Sequence, residues 1–570
     1  MLKKVLQLFF KDNILLSMAL ILLGTLVWSL VMVKSGLPYS YGMGFWGPNG
    51  HDGVWHIALA EGFARGSFEM PTFAGEALKN YHAGFDLILA ALHKLTSIPI
   101  SDLYFQIIPP ILAFLIGVLT YKFVFIWRKS KKAAFWATFF VYFGGSFGWL
   151  VSLLRQGTFE GESMFWAQQS ISTLINPPFA LSLVLLLVGL ILLVKRKNIF
   201  LIVLCFGILV QIKAYAGVLG LGALLVSGVY DRIKNNNYFL LKAFFGSLAL
   251  SLVLFFLFSK DSVNLLVFQP FWFLETMMGL TDRLGWLRFY SAMTNYRLGN
   301  IWLKAIPAYL VAFVIFWVGN MGTRIIKEIL VIKWLKNIKN LTSVEIILMT
   351  IIIAGVVLPM FFLQKGTPWN TIQFVYYSLF FSGILAGVAF AEISFKSKSP
   401  ILYSIEVIAL IALTLPTTIG TLGHYLPARP PAMISNEELE ALKFLSTQPM
   451  GVVLTYPFDK FKAKEAEANP PRPLYLYEST AYVSAFAKKP VFLEDEVNLD
   501  ITGYAWRERR EKVLNFYSTL KKEEVREFLK SNNISYVYWV KPQRATLGEG
   551  QLGLTRLFEN KLVDIYKVVY

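Results

Sequence analysis

Long apolar runs, broken by short basic clusters, fill most of the chain up to about residue 423; beyond it the runs shorten and charges become frequent. The first run, Ile14 to about Val33, approaches the length needed to cross roughly 30 Å of hydrocarbon, and no small-residue cleavage site follows it. It reads as a retained first helix. Further spans are expected at about Leu103 to Ile126, Ala133 to Leu154, Pro178 to Val194, Phe239 to Phe258, Ile301 to Gly319, Val344 to Phe362, Ile372 to Ala391 and Pro400 to Leu422. Between Asn198 and Tyr230 the apolar run is interrupted by "QIKAY", with basic residues at both ends. One helix cannot begin and end on the same face, so two short helices of roughly 15 residues each are predicted, meeting at Lys213. The total is eleven spans.

After "HYLPARPPAM" the pattern changes to that of a small α/β domain, 424–570. Ser435 and Glu438 stand at capping-box spacing and open a helix, while "GVVLTY", "PVFLE", "ISYVYWV" and "VDIYKVVY" read as strands and "KEEVREFLKSNN" as a helix. The expected fold is mainly α: a polytopic membrane domain, 1–423, carrying a long first external loop, 34–102, followed by an external α/β domain.

Composition agrees with this class. The 570 residues are 56% hydrophobic and only 16% charged, where a soluble protein carries about a quarter. The net charge of +18 sits in clusters such as "WRKSKK", "KRK" and "KSK", and Lys3, Lys4 and Lys11 precede the first run. This suits loops retained on the cytoplasmic side rather than nucleic-acid binding. The N-terminus is then cytoplasmic and the C-terminal domain external. Cys205, the single cysteine, excludes an intrachain disulfide. The C-terminal domain has no P-loop, HExxH or CxxC sequence, so it carries no Walker-type or metal signature.

Against this apolar background, "GPNGHDGVWHIALAEGFARG" stands out. It carries His51, Asp52 and His56 in a chain with five histidines. Helical spacing from Val54 through Phe63, repeated in "YHAGFDLILAALHKL", predicts two amphipathic helices at the membrane interface, with Trp46 and Trp55 as anchors. At four residues' separation, Asp52 and His56 share a helix face, which lets the carboxylate charge or bond the imidazole. Asp52 also suits an N-cap. Glu160 and Glu162 in "TFEGES" read as solvated loop charges.

The first transmembrane helix, the long external loop with its early acid in "NGHDGVWH", the many later spans and the external C-terminal domain together resemble the GT-C superfamily of glycosyltransferases. That superfamily includes protein O-mannosyltransferases, oligosaccharyltransferases and lipid A aminoarabinose transferases. The sequence departs from its more familiar "DE" pair, because Gly53 follows Asp52, and it has no "WWD" sequence. The resemblance implies a cell-envelope enzyme that takes a sugar from a polyprenyl-phosphate-linked donor and transfers it to a lipid, glycan or protein acceptor at the external face. Asp52 would be the general base or acceptor-orienting carboxylate. His51 and His56 would tune it or, with His82, join it in binding a divalent metal ion. Lys213, Lys365, Arg288 and Arg297 are the external cations expected to meet the lipid phosphate, and Asn370 and Gln373 to bond sugar hydroxyls. A polytopic lipid or polysaccharide transporter or flippase is the alternative, but it should show paired interrupted helices in two corresponding halves, and only one interrupted hairpin is visible.

Overall fold

The computed structural model describes residues 13–258, 266–365, 367–394, 399–518, 522–543 and 553–569. Lys3, Lys4 and Lys11, the lysines of the 396–398 cluster, Gly366 and Tyr570 lie outside the described residues.

Each of the eleven apolar runs is helical. Among the described residues nine helices are long and apolar enough to cross a membrane: Ile14–Val33, Ile100–Arg128, Pro177–Val194, Ala214–Asn235, Phe239–Phe256, Trp302–Lys336, Ser343–Phe361, Pro368–Ile393 and Pro400–Tyr425. Lys131–Phe143 and Gly148–Gln156 make a tenth span if counted together, bent by 44° at their junction. The eleventh piece, Ile199–Ile212, is apolar but short. This is a multi-pass membrane protein. In hydrocarbon every backbone polar group must be satisfied within its own segment, so a long apolar run has little choice but helix.

Two expectations are corrected here. The chain does break at Lys213, whose backbone is extended (φ −158°, ψ 109°), but the helix that follows, Ala214–Asn235, has 22 residues and is not short. The predicted interfacial helix is also different: Asp52–Ala64 is buried over Gly53 to Phe63, all round rather than along one stripe. Trp46 and Trp55 are core residues, the indole N–H of Trp46 donating to Pro427 O at 3.0 Å. Only Gly84–Thr96 keeps the amphipathic character expected of both, burying Phe85, Asp86, Leu89 and Ala90.

The chain forms two compact units. One comprises Met1–Leu30, Pro109–Leu257 and Val263–Tyr425, the other Val31–Ile108, Phe258–Ser262 and Leu426–Tyr570. The first is helical, with Gln373–Ser394 at its centre, packed against Lys131–Phe143 and Ser343–Phe361. At one end of these helices Arg128 pairs with Glu345 at 3.2 Å and with Glu392, and Lys333 reaches Glu392 at 3.1 Å. Residues from four basic-flanked helix ends therefore gather together, as the alternation of spans requires.

The second unit is α/β and brings the first loop and the C-terminal segment into one common sheet. One four-stranded sheet runs in the order Pro38–Tyr39, Gly42–Phe45, Ala432–Ser435, Arg472–Pro473, with Met43 opposite Ile434. The other runs Val452–Leu454, Ile534–Val540, Val563–Val568, Leu554–Glu559. Ser435 caps Asn436–Thr447 with the expected capping box to Glu438. "PVFLE" contributes only a bridge, Val491 to Val453, and the Leu554–Glu559 strand and Trp506–Ser518 helix had no clear sequence signal.

Candidate active site

In the α/β unit, Asp52 is delivered by a tight turn. Gly47–Gly50 forms a single 3₁₀ turn that fully buries Asn49, whose amide donates to Val31 O at 3.0 Å and to Ser35 Oγ at 2.9 Å. The Asp52–Ala64 helix begins immediately afterwards. Its N-cap is His51, which makes no side-chain capping bond, so Asp52 is the first helical residue rather than the cap. The Asp52 side chain is 51% exposed, and its Oδ1 lies 3.2 Å from His51 Nδ1.

The glycine that replaces the second acid of the "DE" pair has a steric cause. A Cβ at Gly53 would sit 2.7 Å from Phe105 Cζ and 3.1 Å from Tyr104 Cε1, so no side chain can follow Asp52 without moving two buried rings. Acidity comes instead from a distant part of the chain. Asp495 is buried and N-caps Glu496–Thr502 through Asn498 N–H. Burial raises its pKa to about 7, the Asn498 bonds and His51 opposing this and the Asp52 charge adding to it. Burial alone would lower the His51 pKa, but hydrogen bonding to Asp52 and the charges of Asp52 and Asp495 leave it above its ordinary value. The His51 ring stacks with Tyr477 at 6.4 Å between centroids and 29° between planes.

His56 is turned elsewhere. Its Nδ1 lies 2.7 Å from Asp86 Oδ1, with side chains 6% and 0% exposed, so the carboxylate that meets this nitrogen is not the one four residues back. The ring stacks on Tyr104 at 5.5 Å and meets Phe85 edge-on at 6.0 Å. His82 packs against Tyr81 at 4.7 Å. Among the described residues no three His, Cys, Asp or Glu side chains are grouped to hold a metal ion. Asp52, His56 and His82 therefore do not fit as a ligand set. Asp86 was absent from the candidates, although an acid on the apolar face of "GFDLILAALHKL" was a readable signal.

The helical unit carries its own polar cluster. Glu162, expected to be solvated, is buried: its carboxylate accepts from Gln169 N–H at 2.6 Å and Ser172 Oγ at 2.7 Å, and Tyr425 Oη lies 3.5 Å away. Burial lifts its pKa to about 7 despite those bonds. Gly161, at a φ of +91° that favours glycine, stands between buried Glu162 and exposed Glu160. Lys213, 4% exposed, donates to Asn176 Oδ1 at 3.3 Å, and Tyr215 Oη, two residues on, bonds Gln364 Oε1 at 3.0 Å. Arg283, missed in the sequence, lies 4.5 Å above the Trp166 ring.

The other predicted cations are less gathered. Arg297 is paired with Glu275 at 3.2 Å, which also accepts from Tyr309, while Arg288 and Lys365 are exposed. Lys365 follows the Phe362–Gln364 strand, paired with Leu266–Phe268. Asn370 lies in the 3₁₀ turn Pro368–Ile372, and Gln373 starts the central helix.

No protein-family model and no curated protein matches the chain. Solved structures of an archaeal oligosaccharyltransferase do. The Archaeoglobus fulgidus enzyme AglB, in complex with an inhibitory peptide and a dolichol-phosphate, is 11% identical over 93% of this chain and 70% of its own, with a TM-score of 0.49. The same organism's enzyme tethered to an acceptor peptide containing the NVT sequon is 11% identical over 93% and 70%, TM-score 0.48. Its complex with Zn and sulfate is 13% identical over 91% and 68%, TM-score 0.47.

Proposed function

We propose that this protein is a GT-C-type glycosyltransferase that moves a sugar from a polyprenyl-phosphate-linked donor to a hydroxyl or amine acceptor at the external face of the membrane, with its N-terminus cytoplasmic and the α/β unit external. The observation that carries this reading is Asp52. In the one polar motif that resembles the superfamily, its carboxylate is half exposed at the start of an otherwise buried helix, held by His51 and backed by buried rings.

In the transfer, an acceptor oxygen or nitrogen forms a bond to the anomeric carbon as the carbon–oxygen bond to the lipid phosphate breaks. The acceptor's proton passes to Asp52, and the electron pair leaves with the phosphate. His51 Nδ1 lies 3.2 Å from Asp52 Oδ1 and its pKa stands above the ordinary histidine value; when it carries its proton it favours the ionised form of Asp52. The leaving phosphate requires cations, and buried Lys213 is the leading candidate: an ionisable group at membrane depth is costly unless it faces a polar partner or ligand.

The test uses the purified full chain in nanodiscs with polyprenyl-phosphate hexose and polyprenyl-phosphate aminopentose, each labelled in the sugar. Release of polyprenyl phosphate with transfer of label is expected, and Asp52→Asn should reduce it by about 10²–10⁴-fold, the usual worth of a general base. Wild-type turnover in a folded Asp52→Asn protein would remove the base. Movement of unreacted donor across the bilayer would favour the flippase reading.

A further inference from the structure

The α/β unit contains a cleft lined by aromatic rings and acids. Its inner cavity, about 30 Å3, is walled by the aromatic rings of Tyr456, Phe458, Tyr475, Tyr477, Tyr482 and Tyr538 and by four carboxylates, Glu478, Glu494, Asp495 and Glu496. A larger cavity of about 480 Å3 shares Tyr456, Phe458, Glu478 and Glu496 with it and adds Asp459, Lys460 and Arg510. Tyr477 and Asp495 are also the residues that face His51.

Two observations point to a ligand. Thr480, 4% exposed, lines the inner cavity, and among the described residues its Oγ1 has no hydrogen-bond partner. A buried orphan hydroxyl is costly, and native structures seldom keep one without use. Direct ion pairs to the carboxylates are few: among the described residues Glu494 is met by the N–H groups of Val483 and Ser484, Asp495 by Asn498 with the His51 ring nearby, and Glu496 by Arg510. Burial accordingly pushes Glu494 up to about 8 and Asp495 and Glu496 up to about 7.

We infer that this cleft binds a protonated amine, the ammonium group entering the inner cavity between the tyrosine rings and the carboxylates while the rest of the molecule occupies the larger cavity, and that the amine anchors the acceptor beside Asp52. The acceptor assignment rests on the glycosyltransferase reading. An ammonium ion supplies the missing charge, donates to Thr480 Oγ1 and is attracted to aromatic faces. A neutral polyol supplies hydrogen bonds without the charge. A metal ion does not suit, since among the described residues no three ligating side chains are grouped for one. The inner volume of about 30 Å3 has room for a small polar group of the size of an ammonium ion, a single water needing about 10–15 Å3.

Binding is measured on the purified full chain without donor, by titration with ethanolamine and glucosamine and with their neutral counterparts ethylene glycol and glucose. Both amines are expected to bind at least about tenfold more tightly than the matching alcohols, the worth of one charge-assisted contact. Tighter binding of ethanolamine identifies a lipid head group as the source, and tighter binding of glucosamine an amino sugar. Glu478→Gln, a change at an exposed position, should weaken both by a similar factor. Equal affinity for amines and alcohols, or unchanged amine affinity in Glu478→Gln, overturns the inference and leaves sugar transfer untouched. Amine-selective binding by a chain that transfers no sugar would instead remove the acceptor assignment together with the glycosyltransferase reading.

Discussion

His56 Nδ1 and Asp86 Oδ1 lie 2.7 Å apart in a site closed to solvent, joining the helices Asp52–Ala64 and Gly84–Thr96. The pair fixes the helix whose first residue is Asp52. Removing one member leaves the other buried without its partner, which typically costs about 3–5 kcal/mol, whereas replacing both with apolar groups of similar size is far milder. Asp86→Ala should therefore lower the melting temperature of the purified protein markedly, and His56→Phe with Asp86→Leu should lower it less. If the double variant melts below Asp86→Ala, the pair is not the structural tie described.

Gly53 is a packing requirement. Gly53→Glu, which would recreate the "DE" pair, drives a Cβ to within 2.7 Å of Phe105 Cζ, and overpacking of this kind costs about 1–3 kcal/mol. Lower stability with no gain of transfer is expected, and Phe105→Ala should relieve part of the clash. A Gly53→Glu protein as stable as wild type would refute the steric account.

Glu162 makes stability depend on pH. Its pKa rises from 4.5 to about 7 on folding, so the folded state holds a proton that the unfolded state gives up. Its contribution is fully present below pH 4.5, is lost as pH rises through 7 and is constant above. Glu494 and Asp495 act in the same direction, with values of about 8 and 7. Melting temperatures taken between pH 5 and 8 should fall, and Glu162→Gln should flatten the fall. An unchanged slope would mean that Glu162 is ionised when buried.

Lys213 is held at a helix break, bonded to Asn176. Lys213→Met keeps most of the unbranched side chain and removes the charge. It should raise the Kd for polyprenyl-phosphate hexose by about tenfold or more, since hydrogen bonds to charged groups are worth about 1.5–3 kcal/mol. Measured by equilibrium binding, wild-type affinity would take Lys213 out of the phosphate site.

Much of this fold could be read in advance. A run such as Pro177 to Val194 has no polar partner for its backbone except itself, and Ser435 with Glu438 closes its helix N-terminus through bonds only three residues apart. The break at Lys213 is equally local, a cation interrupting an apolar run. Asp52 stood out for the same reason, as a charge where the chain is otherwise apolar.

Side-chain partnership is a different matter, because it depends on contacts that sequence spacing does not encode. Four-residue spacing proposed Asp52 for His56, but packing against Gly84–Thr96 supplied Asp86 from 30 positions away. Glu162 is buried against Gln169 N–H and Ser172 Oγ in a loop whose composition looked solvated, and the pairing of Gly42–Phe45 with Ala432–Ser435 tied the first loop to a segment far along the chain. The sequence by itself determined the helices and singled out Asp52, since both follow from local polarity. Only the tertiary structure decided which acids are buried and what each histidine meets, since burial and electrostatics belong to neighbours in space.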